Sequence, residues 1–271
     1  MLPRSCAKPL QAVGMLRLGL QVDDEALAII CASHTGQPQH VSVVRRVLAD
    51  AGLDESDLDN TPGMPVDGAA RRDLIAAGAR PAAVTHSCSG KHAGMLATCV
   101  ANGWPTTGYR EPSHPLQRAL SETVSELTGD PVTATVIDGC GAPLFAVTLA
   151  GLALAFHRIA VADAGSREGR CAAVMLAHPE LVGGTGHHVT RLMTAVPGLL
   201  AKDGAEGVYA AATADGVAVA VKIEDGGDRA RLPVLVAALR AAGVTSSGLD
   251  EFAATPVLGH GEPVGAIRAT I

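Results

Sequence analysis

Ten consecutive residues, His86-Ser87-Cys88-Ser89-Gly90-Lys91-His92-Ala93-Gly94-Met95, constrain this chain more than any other stretch. Hydroxyls, a thiol, an amine and imidazoles crowd around Gly90 and lead straight into the apolar series Met95, Leu96 and Val100. A polar loop feeding a helix N-terminus has this form, and the free amides of such a terminus attract anions and reactive groups. A purely structural turn needs only a glycine and one capping residue. The stretch therefore marks a core helix that begins beside chemistry. Cys88 or Ser89, with Lys91 or His92 as base, is the first nucleophile it offers.

That helix needs a core to enter. Apolar residues make up 48% of the 271, yet only six positions are aromatic, so alanine, valine, leucine and glycine must fill the interior and helices must pack closely. With so few rings to stack on, no basic block and a net charge of −6, nucleic acid is excluded as a partner. Cys6, Cys31, Cys88, Cys99, Cys140 and Cys171 form no CxxC pair and no tight disulfide spacing. No signal-peptide pattern precedes them, so reduced thiols and a cytoplasmic protein are expected. The longest apolar run, Ala142 to Phe156, contains Pro143 and falls short of the ~20 residues a membrane-spanning helix needs. It reads as a buried core helix, and no membrane partner is expected.

Along the chain, Leu10, Val13, Leu16 and Leu20 predict a helix beginning near Ser5, with Pro9 tolerable in its first turn. Ala26–Ala32 is a strand or a helix end. Helices are expected over Gln39–Ala51, Asp67–Ala77, Gly94–Asn102, from His114 onward, Leu144–Ala160, Arg170–Ala177 and Arg231–Ala242. Strands are expected at Val132–Ile137, as a hairpin of Gly207–Thr213 with Val217–Ile223, and at Val264–Ile271. The glycine-rich Gly183–His188 lacks both the phosphate-loop pattern and its lysine. The fold class is α/β of the mixed α+β kind, with no linker, as one domain over residues 1–271.

Three sets of residues suggest chemistry. Ser5 and Lys8 are three apart and share a helical face, so a neutral lysine there would take the serine proton. This is the S-x-x-K spacing of serine β-lactamases. Lys222, alone in the apolar run Val-Ala-Val-Lys-Ile, is either at a strand edge paired with Glu224 or Asp225, or held inside for a purpose. Cys88, Lys91 and Cys140 offer two thiolates and an amine to a zinc ion, fewer sulfur or imidazole ligands than a typical zinc set.

Five motifs then occur in order: Pro3-Arg4-Ser5-x-x-Lys8-Pro9-x-Gln11, Cys31-Ala32-Ser33-His34, Cys88-Ser89-Gly90-Lys91-His92-x-Gly94-Met95, Asp138-Gly139-Cys140-x-x-Pro143 and Val221-Lys222-Ile223-Glu224-Asp225-Gly226. Together they resemble the Rhizobium-etli-type L-asparaginase family (asparaginase II, class 3). The resemblance implies hydrolysis of L-asparagine to L-aspartate and ammonia, and a fold like serine β-lactamases and glutaminases, with a central sheet flanked by helices plus a helical region. It also implies a homodimer. Ser5 would pair with Lys8, and Ser33 with Lys222, either serine being the acylated one. Zinc would sit on Cys88, Lys91 and Cys140 and aid substrate binding more than the chemical step. Asp138 would take the substrate's α-ammonium and Arg4 its α-carboxylate, with His92 nearby.

The chain departs from that family in two ways. Members normally carry several tens of residues of sheet strands before the Arg-Ser-x-x-Lys motif, so either Met1 is internal to a longer reading frame or the chain is a shortened relative. His187 follows Gly186 where the family has arginine, which would change substrate or dimer contacts. Hydrolysis of glutamine or a related amide, and a non-catalytic relative that binds an amino acid or metal, are the alternatives to asparagine hydrolysis.

Overall fold

The computed structural model describes residues 1–270. A 3-10 turn, Arg4–Ala7, runs into α1 (Lys8–Arg17), followed by α2 (Asp24–Cys31), α3 (Pro38–Asp50), α4 (Gly68–Ala76), α5 (Ser89–Ala101) and α6 (Pro115–Thr128). The short hairpin β1 (Thr135–Ile137) and β2 (Pro143–Phe145) leads to α7 (Leu149–Ala160), α8 (Arg167–Ala177), α9 (Pro179–Val182) and α10 (His188–Ala195). Then come β3 (Leu199–Gly204), β4 (Val208–Thr213), β5 (Ala218–Lys222), α11 (Arg231–Ala241) and a second hairpin, β6 (Ala254–Gly259) with β7 (Glu262–Arg268). The architecture is mixed α+β.

The principal sheet is antiparallel, in the order β3-β4-β5, with Ala201 opposite Ala211 and Tyr209 opposite Val221. Consecutive β4 residues from Val208 to Ala212 are all buried, so both faces of the sheet are covered. Helices α7 and α11 pack on β4 and β5, while the Arg4–Ala7 turn and α10 pack along β3. The remaining sheets are the two isolated hairpins, smaller than the single central sheet expected.

Helix α5 runs through the helical half, with Ser89 through Cys99 all buried against α1, α2 and α3. The near absence of rings is answered here by glycine. A Cβ on Gly90 would lie 2.2 Å from the Ile29 carbonyl oxygen, and one on Gly94 would lie 2.8 Å from the Ile30 side chain. Helix α2 therefore approaches α5 backbone to backbone, closer than any side chain permits.

Several expected elements need correction. Ala26–Ala32 is the end of α2, capped by Asp23, whose carboxylate accepts from the Ala26 amide. The Ala142–Phe156 run is not one helix: β2 occupies its start, and α7 begins only after Thr148, whose hydroxyl accepts from the Gly151 amide. Helix α5 starts at Ser89, five residues before the expected Gly94, so the polar loop residues belong to its first turn. Strand β3 had no counterpart among the expected elements. The expected last strand is β7, ending at Arg268, and Ile271 lies outside the described residues.

Candidate active site

A cavity of about 250 Å³ opens between the helical half and β3, and Ser5, Ser33, Ser87, His187, Asp203 and Arg231 are in its wall. Ser5 reaches it from the 3-10 turn ahead of α1. Arg4, just before it, holds a left-handed backbone with φ 49°, a conformation that costs a non-glycine residue about 1–3 kcal/mol. Two ion pairs fix it there: Arg4 Nε donates to Asp138 Oδ1 at 2.8 Å, and Nη1 lies 3.0 Å from Glu206 Oε1. The Cys6 thiol donates to the Lys202 carbonyl at 3.1 Å, tying the turn to β3. Gly204 makes that approach possible, since a Cβ there would lie 2.7 Å from the Pro3 carbonyl oxygen.

Ser33 is placed by backbone. The segment after α2 is extended, its Ser33 amide donating to the Val182 carbonyl at 3.1 Å and its Thr35 amide to the Gly183 carbonyl at 2.9 Å. Gly184, at φ 138°, lies so close to Thr35 that a Cβ would meet Oγ1 at 2.1 Å. His34 accepts from the Gly36 amide at Nδ1, so its neutral ring carries the proton on Nε2 and donates to Ser89 Oγ at 2.9 Å. Ser89 in turn donates to the Val84 carbonyl at 2.8 Å. Fully buried and fully bonded, Ser89 anchors the loop and is not a nucleophile.

Lys8, the first residue of α1, is 1% exposed. Its Nζ contacts the Ala32 carbonyl at 2.5 Å, Ser33 Oγ at 3.0 Å and the Ser87 carbonyl at 3.3 Å. Burial lowers its pKa below the ordinary lysine value; Cys88 opposes the shift, and Lys202 and Lys91 reinforce it. A neutral amine has two protons and one lone pair. The two carbonyls match those protons, leaving the lone pair for the Ser33 hydroxyl. That is the hydrogen-bond pattern of a base on a serine.

The thiol and amine of the opening loop meet the second polar turn. Lys91 Nζ lies 3.3 Å from Cys140 Sγ, and Cys140 Sγ lies 4.0 Å from Asp138 Oδ2. A hydrogen bond from the Cys140 thiol holds Cys88 well below the usual thiol range; burial opposes this, and Lys8 adds to it. Lys91 is shifted up: burial would lower it, but Cys140 and Cys88 outweigh that. Two soft sulfurs and an amine converge here and are the residues that could hold zinc, but the upward shift favours the protonated Lys91, which would have to give up that proton to bind a metal. Arg4 and Asp138, expected to divide the substrate's two charged groups between them, are paired with each other. His92 is buried, and its Nδ1 is 2.8 Å from Tyr109 Oη. Tyr109 Oη also accepts from the Asp59 amide, and His92 Nε2 has no partner among the described residues.

The expected Ser33–Lys222 pair is not made. Lys222 ends β5, and its Nζ donates to the Glu206 carbonyl and, at 3.0 Å, to the Ile223 carbonyl. The lysine on Ser33 is Lys8, which forms no side-chain hydrogen bond to Ser5 among the described residues. Sequence reasoning passed over Lys202, fully buried on β3 with Nζ 2.6 Å from Asp203 Oδ1 and 2.9 Å from the Asp203 carbonyl. A signal was available: Lys202-Asp203-Gly204 is a K-x-G triplet downstream of S-x-x-K, the companion motif of the β-lactamase group. The chain has only four lysines, and three of them are buried around this cavity and the thiol cluster.

Residues 1–269 match the family model described as L-asparaginase II. No curated protein matches the chain.

Proposed function

The chain belongs to the L-asparaginase II family, and on that premise we propose that it hydrolyses the side-chain amide of L-asparagine through a serine ester. The observation that carries the reading is the Lys8 Nζ–Ser33 Oγ contact of 3.0 Å in the wall that Ser5 shares. An amide is a reluctant electrophile, and a covalent intermediate divides its hydrolysis into two easier steps. Ser5 attacks the amide carbon: it lies in the cavity wall, and its hydroxyl, unlike that of Ser33, is not already tied to a lysine. Lys8, whose pKa burial and the neighbouring Lys202 and Lys91 lower, takes the Ser5 proton by way of Ser33, the hydroxyl that its Nζ contacts. Ser33 passes a proton on to the departing ammonia, and Lys8 then serves as base for the water that frees aspartate. Lys202, rather than Lys222, is the second lysine of this reading, and it acts through Asp203 of the cavity wall, with which it is paired, rather than through a serine.

Cys88, Lys91 and Cys140 are the residues that would hold zinc. When bound, the ion supplies a Lewis-acid contact that orients the substrate. Asp138, beside both Cys140 and Arg4, would take the α-ammonium, and Arg4 the α-carboxylate, once substrate separates the pair. The homodimer is supported by exposed apolar residues on the last hairpin, Val257, Leu258 and Val264. The six free cysteines support a reducing, cytoplasmic location, and among the described residues no helix is long and apolar enough to cross a membrane.

Ammonia release from L-asparagine, L-glutamine and simple peptide amides tests the reading. Turnover confined to L-asparagine is expected. Faster release from glutamine would replace the substrate, and no release from any amide, with amino-acid binding retained, would make the chain a binding protein.

A further inference from the structure

A second cluster of metal-ligating side chains lies in the wall of the same cavity, away from the thiols. His187, His188 and Asp203 each offer one ligand atom, and those atoms lie within 4.8 Å of one another. His187 is the N-cap of α10 and His188 its first residue, and Asp203 is on β3. We propose that His187, His188 and Asp203 form a site for a borderline divalent transition metal (zinc, cobalt or nickel), facing Ser5 and Ser33, whose occupation blocks the cavity.

The hydrogen bonds around His188 set its ring for such a role. Arg231 Nη2 lies 3.1 Å from His188 Nε2, and a guanidinium only donates, so Nε2 carries a lone pair. Its proton is therefore on Nδ1, 3.3 Å from Tyr209 Oη. An imidazole whose Nε2 carries the lone pair and whose Nδ1–H meets an outer-shell acceptor is the tautomer that metal-binding histidines use, and here Arg231 takes up that lone pair. His187 is the less committed ring, its Nδ1 accepting only a long 3.4 Å contact from the Val189 amide. Two imidazoles and one carboxylate, with the cavity beside them, suit zinc, cobalt, nickel or ferrous iron rather than calcium or magnesium.

A cation already occupies this place. Arg231 Nη2, between His188 Nε2 and Asp203 Oδ2 (3.1 and 3.9 Å), stands where a metal would stand. Lys202 holds the other oxygen, Asp203 Oδ1, at 2.6 Å, and Asp228 lies 3.1 Å from Arg231 Nη1. A metal ion must displace the guanidinium and tolerate Lys202, which makes the site weak and its affinity sensitive to Arg231. The arrangement differs from the thiol cluster in ligand chemistry, so the two are separable by spectrum.

Cobalt(II) titration of the Cys88→Ala/Cys140→Ala chain is the test. One bound equivalent is expected, with visible d–d absorption and none of the near-ultraviolet charge-transfer band that thiolate ligation gives. Adding His188→Asn should abolish it, whereas Arg231→Gln should tighten binding about tenfold or more as a neighbouring positive charge is removed. Should the double variant fail to fold, equilibrium dialysis of the unaltered chain against His187→Asn reads the same site as one equivalent lost. No cobalt bound in the double variant, cobalt retained after His188→Asn, or no equivalent lost in His187→Asn would overturn the proposal.

Discussion

Lys8 Nζ lies 3.0 Å from Ser33 Oγ although the two residues are 25 positions apart and on different elements. Helix α1 supplies the amine, and the extended segment after α2 supplies the hydroxyl. Replacing Lys8 by methionine keeps the packing volume but removes the base. A loss of ~10²–10⁴ in kcat is expected from steady-state ammonia release, with KM changed far less.

The same lysine sets a pH dependence. Its neutral form is the active one, so activity rises with pH as Lys8 loses its proton. Because burial and neighbouring Lys202 and Lys91 lower its pKa, the rise falls below the range of an ordinary lysine. A kcat/KM profile checks this, and Lys202→Met, which removes one of those cations, should move the rising limb to higher pH.

Lys222→Ala should retain turnover within a few-fold, because that ammonium is held by the Glu206 and Ile223 carbonyls at the end of β5. Lys202→Ala should lose most of it. Assaying the two variants side by side separates the sequence expectation from the observed geometry.

Part of the site was legible because its residues are compressed into short motifs. Ser5 and Lys8 lie three apart, as do Cys88 and Lys91, so local spacing brought each set to one place in the fold, although Lys8 bonds Ser33 and Lys91 bonds Cys140. The pairing across elements was not legible. Nothing in Val-Ala-Val-Lys-Ile says that Lys222 ends an edge strand, and nothing local says that Ser33 points at Lys8. Strand β3 was missed because Leu199-Leu200-Ala201-Lys202-Asp203-Gly204 shows no alternation: it is buried along most of its length, which erases the period-two signal. The early start of α5 was missed for a similar reason, since polar Ser89, Lys91 and His92 are buried and bonded rather than exposed.

Gly90→Ala tests the backbone contact that places the polar loop. The added methyl would meet the Ile29 carbonyl at 2.2 Å, so α2 and α5 must separate. A cost at the upper end of the ~1–3 kcal/mol typical of overpacking, or beyond it, is expected in urea unfolding.

Cys88→Ala should weaken zinc retention at the thiol cluster, read as the loss of one equivalent, and raise KM for L-asparagine more than it lowers kcat. Metal analysis and kinetics on one preparation read both. Lost turnover with zinc retained would return Cys88 to the role of nucleophile.

The covalent step itself is read by intact-protein mass spectrometry after acid quenching of the enzyme mixed with L-asparagine. The expected result is one added aspartyl group on the peptide that contains Ser5, absent from Ser5→Ala and diminished in Lys8→Met. Full ammonia release by both Ser5→Ala and Ser33→Ala, with no adduct on either, would contradict a serine–lysine mechanism.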